Sequence, residues 1–371
     1  MKKFLIFIFA ALIALTAMPL FGCNEQAMNG ETDADYRAVD EQSYQKIVSL
    51  IDENSPVKGT ENVFGGILSS DLELTFKVGE KSMTAMETET LKLLFSNDKL
   101  YLALTGNANV KADDKFLDET VSSIFSLMEI QLDENPEIPD IGMVNVMGEA
   151  KAYYDDENLY LDAKVTGITE NQKDLFGNVG IDVDKMGLAE GIKYKFENAQ
   201  LKSEVINLIQ NMKDGLSMGL SELKKLDYTT LKDYLTLFDI KMYVAEKETG
   251  VKVKLETSTT TAAKIKAWAN EHDENMRKTF ESFNVDKLDV NICFSFDSYG
   301  KLDEISMRGD IKSNVIKNQT KIDLGISGSA NLSLTAPAIQ LPSFEDFTFP
   351  GENGNSMGNT DGNSSSGTTN G

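Results

Sequence analysis

Ser217, Asp239 and His272 are the residues whose types could support nucleophilic catalysis. Ser217 lies at the centre of Gly215-Leu216-Ser217-Met218-Gly219, which fits the G-x-S-x-G pattern of a hydrolase nucleophile elbow. Asp239 and His272 follow in the chain order that such enzymes use. The elbow needs a buried strand before the serine, whereas residues 201–216 carry a helical pattern. We therefore predict no catalytic residue, and a serine hydrolase that uses Ser217 is the least favoured function.

A second group of residues has part of the spacing of a calcium-binding loop, with carboxylates at alternate positions and a glycine for the sharp turn. These residues are Asp182, Asp184, Gly187 and Glu190. Lys193 occupies the position of the closing bidentate glutamate, and Met186 replaces another oxygen ligand. The pattern therefore favours a solvated acidic turn. We predict no metal site, and with one histidine in the chain we predict no cofactor.

The amino-terminal residues indicate export and lipidation. Lys2 and Lys3 precede an apolar run from Phe4 to Leu15 that is too short for a comfortable membrane span, as in a signal peptide. Gly22-Cys23 then resembles the cleavage site of bacterial lipoproteins, although Phe21 is bulkier than the usual residue. We predict cleavage between Gly22 and Cys23, removal of residues 1–22 and lipid on Cys23. The alternative is an ordinary signal peptide followed by a coincidental cysteine.

Charge and cysteine content limit the partners. The net charge is −23, and loss of the two lysines of the signal peptide lowers it to −25. Such a surface repels phosphate backbones and anionic lipids, so nucleic acid is excluded as a partner and only the lipid holds the chain on a membrane. With Cys23 acylated, Cys293 has no partner for a disulfide, and we predict a structural role for it. The expected location is the extracytoplasmic face of a bacterial membrane.

The periodicity of apolar residues predicts the elements that would position any site. Residues 23–60 are predicted to be a lipidated tether with a short helix on Tyr44, Ile47, Val48 and Ile51 behind Asp40. Strict alternation predicts half-buried strands at 68–78, 288–296 and 322–334, and helical stripes cover 117–128, 201–216 and 265–283.

Turn residues predict hairpins at Asn97–Leu102, Glu157–Leu161, Glu246–Gly250 and Asp297–Gly300. We expect the first two hairpin strands to end at Thr105-Gly106 and Thr166-Gly167. We expect nine to eleven strands, each with one solvent-exposed face. The predicted fold class is therefore α+β. Its main element is a large curved antiparallel sheet that resembles a half-barrel, with amphipathic helices packed on its apolar face. Residues 61–334 form this single domain, and 335–371 form a disordered Pro/Gly/Asn/Ser-rich tail.

The lipidation signal, the repeated "turn-Leu-Tyr-Leu" hairpins and the late hairpin Phe294-Ser295-Phe296-Asp297-Ser298-Tyr299-Gly300-Lys301-Leu302 together resemble bacterial lipoproteins of the broad LolA/LppX-like superfamily. Related Gram-positive lipoproteins of unassigned role share this pattern. In that superfamily a curved sheet closes over helices, and some members carry lipids or lipoproteins in the apolar cavity between them. The resemblance therefore implies a hydrophobic ligand such as lipid.

The inward rows of the predicted sheet and two helical methionines supply the candidate lining of such a cavity. These residues are Leu72, Leu74, Phe76, Leu100, Leu102, Met128, Met212 and Ile292. Methionine adapts to varied apolar shapes, which suits a lining role. Each of these side chains would serve equally in a solid core, because ordinary interiors are close-packed from the same residues. The alternative function is thus a structural or protein-interaction lipoprotein, with an unknown protein partner.

Overall fold

The structure is a computed structural model of the whole chain. It describes residues 35–51, 63–96, 98–113, 143–173, 184, 187–198, 200–248, 250–272, 274, 277–278, 284–317 and 320–350. The predicted signal peptide 1–22, the lipidation site Cys23 and the helix predicted at 117–128, with Met128, lie outside the described residues. Asp182 and Met186 of the calcium-like pattern also lie outside them.

The described residues form one antiparallel sheet of twelve strands that is open and curved, which confirms the predicted fold class. The strands are β1 (Arg37–Ala38), β2 (Val63–Val78), β3 (Lys81–Ser96), β4 (Lys99–Ala112), β5 (Val144–Tyr154), β6 (Asn158–Thr166), β7 (Ile192–Glu197), β8 (Ile240–Lys247), β9 (Gly250–Thr257), β10 (Asn284–Asp297), β11 (Leu302–Lys317) and β12 (Thr320–Ser333). Their spatial order is β1-β8-β9-β10-β11-β12-β2-β3-β4-β5-β6-β7. The strand count exceeds the predicted nine to eleven, since a two-residue strand such as β1 is too short to show alternation.

Helices pack on one face of this sheet. They are α1 (Glu41–Leu50), α2 (Leu201–Lys225), α3 (Tyr228–Phe238) and α4 (Thr261–His272). The cap predicted at Asp40 is present, because its side chain accepts a 2.8 Å hydrogen bond from the backbone N–H of Ser43. The pattern did not predict α3, and α2 extends nine residues beyond its predicted end at 216.

The face that the helices cover is called the inner face here, and the opposite one the outer face. Buried apolar residues between the helices and the inner face form the main core. Its members include Tyr44 and Ile47 of α1, Leu220 of α2, Leu231 of α3 and, from the strands, Leu68, Val244, Val253, Val290, Ile292, Phe294, Phe296, Ile305 and Leu332. A smaller cluster joins α4 to α3 through Trp268 and Phe238, whose rings meet edge to face at 6.0 Å.

The prediction that each strand has one solvent-exposed face is wrong for the middle of β10. Cys293 and Ser295 point to the outer face with the polar set, yet both are buried. One residue that covers Cys293 is Tyr36, which precedes β1 in the chain and whose hydroxyl lies 3.5 Å from Sγ. Local alternation could not show this cover, since Tyr36 is distant in sequence.

The four predicted hairpins lie between paired strands, but the second strand of the first hairpin does not end at Thr105-Gly106. Strand β4 continues through Gly106 to Ala112. A Cβ atom at Gly106 would lie 2.7 Å from Cγ of Glu89, so this glycine gives the Glu89 side chain room within the sheet rather than forming a turn.

Residues 335–350 differ from the disordered tail that composition predicts. Phe344 stacks on Tyr160, and Thr348 forms a parallel bridge with Tyr194 at the edge of the sheet. We call residues 344–349 the strap. Aromatic contacts hold it where composition alone indicated disorder, and residues 351–371 lie outside the described part of the chain.

Candidate functional site

An apolar patch lies on the inner face beyond the main core. It consists of Leu72, Leu74 and Phe76 of β2 and Leu324 and Ile326 of β12, and we call it the distal patch. Cross-strand pairing brings these side chains together, because Ile326 lies opposite Leu74 and Leu324 lies opposite Phe76. The β2 members are half-buried, and Ile326 is 37 % exposed. These residues keep apolar surface at the protein exterior although their alternation directs them to the face that carries the core.

On β2 and β3, a row of polar side chains lies between the distal patch and the main core, whereas on β12 Ile326 of the patch lies opposite Ile311, which packs against the core. Glu87 of β3 lies opposite Leu72, and Glu89 lies opposite Ser70. Ser70 and Glu89 are buried, whereas Glu87 is half-buried. Along β2 and β3 the inner face is therefore apolar in the core, polar across this row and apolar again at the distal patch.

The strand registers place all of the described sheet residues of the predicted lining on the inner face. Leu102 lies opposite Leu93, and Leu100 opposite Phe95, on the same side of the sheet as the distal patch. Ile292 belongs to the main core, and Met212 of α2 packs against that core. The predicted set is therefore divided: Ile292 and Met212 fill the core, Leu100 is fully buried, Leu102 is half-buried and the three β2 residues form the distal patch.

The loop that joins β4 to β5 starts at the same end of the sheet as the distal patch. Ala112, the last residue of β4, lies opposite Met83, which in turn lies opposite Phe76. Residues 114–142 of this loop are outside the described ranges.

The residues of the triad-like pattern lie in separate contexts. Ser217 is within α2, with helix on both sides, so the strand-to-helix turn of an elbow is not formed there. Asp239 ends α3 in the left-handed conformation, with φ of 55°. Its carboxylate accepts hydrogen bonds from the hydroxyls of Ser258 and Thr260, which hold its pKa below the usual value.

His272 makes its contacts within α4. Its ring stacks on Trp268 at 5.2 Å, and its Nδ1 atom lies 3.0 Å from the Trp268 carbonyl oxygen. The hydrogen bonds given above thus connect Asp239 to Ser258 and Thr260, and His272 to the backbone of its own helix.

The described residues of the calcium-like pattern form ion pairs and strand pairs. Asp184 forms an ion pair with Lys173 at 2.9 Å, and hydrogen bonds from Lys173 to Glu170 and Asp184 raise the lysine's pKa. Lys193 is in β7, opposite Asp162. Within the described residues, no group of three or more His, Cys, Asp or Glu side chains could hold a metal ion.

A cleft of about 470 Å³ lies on the far side of the sheet from α3, between the outer face of β5–β7, the turn at 187–191 and the strap. Its charged lining residues are Glu149, Asp162, Lys164, Glu190, Lys193 and Asp346. The sequence does not predict this cleft, because the composition of residues 335–371 favours a disordered tail. The available signal was the spacing of Phe344, Phe347 and Phe349 between two prolines.

No protein-family model matches the chain, and no curated protein matches it. Among solved structures, the CymD monoaromatic hydrocarbon channel aligns at 7 % identity over 85 % of this chain and 98 % of that chain, with a TM-score of 0.14. That score is too low to indicate a shared fold. Of the helices that the structure describes, none has the length and hydropathy to cross a bilayer.

Proposed function

We propose that the chain is a lipid-anchored protein of the bacterial cell envelope that binds a hydrophobic molecule, such as a lipid, on the distal patch. The anchor rests on the lysines, apolar run and Gly22-Cys23 site at the amino terminus. The ligand rests on one observation: Leu72, Leu74 and Phe76 lie on the face that carries the core but outside the core itself.

The polar row favours an amphiphile over a plain hydrocarbon. An acyl chain on the distal patch would remove apolar surface from water, at about 25 cal/mol per Å² buried. Its polar end would reach Glu87, which is half-buried beside Leu72. A lipid with a hydrogen-bond-donating head group fits both regions.

A substitution pair tests the ligand site. Native mass spectrometry and organic extraction of the purified chain should show a co-purified amphiphile. A fluorescent fatty amine should bind to the chain, and the extracted amphiphile should displace the amine. Leu74→Glu should weaken this binding at least about tenfold, since it removes an apolar contact of about 1.5–3 kcal/mol. Thr75→Glu is the matched control, because Thr75 is the next residue of β2 and points to the outer face. Equal binding by both variants would refute the distal patch as the site.

The anchor has its own test. Intact-mass measurement should find a diacylglyceryl group on Cys23, and Cys23→Ser should move the chain from the membrane to the aqueous fraction. An unmodified Cys23 in a membrane-free fraction of the unaltered chain would refute the anchor without bearing on the distal patch.

The second candidate function is a protein-interaction lipoprotein with a solid core. The close association of Leu220, Leu231 and Ile292 in the main core favours it, because α1–α3 leave this part of the inner face covered. Extraction that yields no amphiphile, together with no binding of the fatty amine, would favour this second function over the first.

A further inference from the structure

The strap lies across the outer face at the β6–β7 edge, and aromatic contacts hold it there. Phe344 stacks on Tyr160 with ring centroids 3.6 Å apart and planes within 6° of parallel. Phe347 meets the same Tyr160 ring edge-on at 5.5 Å, and Tyr153 approaches Phe344 at 5.9 Å. Tyr153 and Tyr160 therefore form a platform for two phenylalanine side chains three residues apart.

Two lysines of β7 complement the strap in charge. The Nζ atom of Lys193 lies 3.5 Å from Oδ2 of Asp346 and 5.8 Å from the centre of the Phe347 ring. The Nζ atom of Lys195 lies 5.5 Å from the centre of the Phe349 ring. Lys193 thus favours a segment with both acidic and aromatic side chains, and Lys195 favours an aromatic one.

The strap also uses the backbone of β7. The Lys195 N–H donates to the Thr348 carbonyl oxygen at 2.9 Å, and the Thr348 N–H donates to the Lys193 carbonyl oxygen at 3.2 Å. β7 is the last strand in the spatial order, so its outer edge is the side to which a further strand can be added. Added backbone pairing with side-chain pockets beside it is the usual way in which a sheet edge binds an extended peptide.

The strap does not fill the surface on which it lies. The cleft of about 470 Å³ remains between it, β5–β7 and the turn at 187–191. Its ion pair is solvent-exposed, since the side chain of Asp346 is 81 % exposed, and such pairs contribute little to stability. A competing segment would therefore have room to enter, and the ion pair would add little to the aromatic and backbone contacts that it must replace.

We propose that the β7 edge, with Tyr153, Tyr160 and the two lysines beside it, is a docking groove for an extended peptide of aromatic and acidic residues. The strap occupies this groove in cis and is displaced when such a partner binds. The strap's own sequence, Phe344-Glu345-Asp346-Phe347-Thr348-Phe349, defines the chemistry of the partner.

A peptide added in trans tests the groove. The full chain carrying Phe344→Ala and Phe347→Ala should bind a fluorescent peptide of residues 340–350 at least about tenfold more tightly than the unaltered chain, by anisotropy. The reason is that a tethered strap competes at an effective concentration near millimolar. The same peptide with both phenylalanines replaced by alanine should bind at least tenfold more weakly, and adding Tyr160→Ala to the chain should abolish binding.

A second variant keeps the test decisive if the double substitution impairs folding. Thr348→Pro removes the N–H that donates to Lys193 and leaves all aromatic side chains in place, so it should also open the groove to the peptide. Tyr299→Ala, at an aromatic residue that is 80 % exposed elsewhere, should leave peptide binding as in the unaltered chain. A folded strap variant that fails to bind the peptide would overturn the proposal and make the strap a fixed part of the fold.

Discussion

The hydroxyl of Tyr36 lies 3.5 Å from the Sγ atom of Cys293, although 257 positions separate the two residues in the chain. The Nζ atom of Lys254 lies over the Tyr36 ring at 4.9 Å and over the Tyr243 ring at 5.0 Å. β1 follows Tyr36 directly and pairs with β8. The amino-terminal end of the described chain is therefore docked on the outer face and covers the thiol.

Removal of the Tyr36 side chain should make Cys293 reactive. Cys293 is 4 % exposed, and we expect Tyr36→Ala to raise its rate of alkylation by a maleimide about tenfold or more, since access to a buried thiol limits its reaction. The measurement uses a Cys23→Ser background so that one thiol is counted. Tyr299→Ala is the control and should leave the rate unchanged. An unchanged rate in Tyr36→Ala would mean that other residues cover the thiol.

Tyr44 joins α1 to the end of α2, and its hydroxyl should be important for stability. It is fully buried and donates to the carbonyl oxygens of Leu223 and Leu226 at 2.8 and 3.0 Å. Tyr44→Phe leaves these carbonyls without that donor, which should lower the free energy of unfolding by about 1–3 kcal/mol. Urea unfolding measures the loss, and Tyr299→Phe should show none.

The same tyrosine should make stability fall at alkaline pH. Burial, and then the negative charge of Asp227, raise the pKa of Tyr44 from 10.0 to about 12. The folded state keeps this proton longer than the unfolded state, so the contribution is complete below pH 10 and is lost as pH rises towards 12. Unfolding free energies measured between about pH 9 and pH 11 should fall more steeply for the unaltered chain than for Tyr44→Phe. Parallel curves would contradict this assignment.

Two turn glycines should differ sharply in their tolerance of alanine. Gly300 has φ of 74°, and a Cβ atom there would lie 1.5 Å from the Leu50 carbonyl oxygen at the end of α1. Gly79 has φ of 61°, with no atom within 4 Å of a Cβ position. Gly79→Ala should cost only the left-handed backbone penalty of about 1–2 kcal/mol. Gly300→Ala should cost more than about 3 kcal/mol, because α1 must move. Thermal unfolding of the two variants gives the comparison, and equal losses would mean that the contact is easily relieved.

Ser217→Ala should leave any ester turnover by the purified chain unchanged. Ser217 is inside α2, so its hydroxyl is not presented on the sharp turn that a hydrolase nucleophile requires. Turnover of a chromogenic ester before and after the substitution is the assay, with His272→Ala as a second variant. A loss beyond about tenfold in Ser217→Ala would restore the hydrolase hypothesis.

Sequence patterns predicted the elements that depend on neighbouring residues. The Asp40 cap and the alternating strand at 68–78 were confirmed because a cap or a half-buried strand is encoded within a few positions. The inward direction of Leu72, Leu74 and Phe76 follows from the same alternation. The sequence also indicated correctly that helix precedes Ser217.

The features that sequence did not reveal depend on distant contacts. β12 pairs with β2 across more than 240 residues, Tyr36 covers Cys293, and Phe344 stacks on Tyr160. The composition of residues 335–350 favours disorder, and their position is explained by distant contacts with Tyr160 and with the backbone of β7. The sequence also could not show which residues of the predicted lining belong to the core. Met212 has the same helical spacing whether it fills a core or lines a cavity, and only the packing of α2 places it against the core.

The two ends of the described chain lie at opposite margins of the sheet, with β1 at one and the strap at the other. A lipid on Cys23 would be joined to Asp35 by residues 24–34, a leash that reaches roughly 40 Å when fully extended. Eleven inter-strand steps at about 4.8 Å make the sheet roughly 50 Å wide before curvature is counted. Such an attachment would keep the β1 margin within about 40 Å of the bilayer, whereas the β7 margin could lie up to about 50 Å farther out.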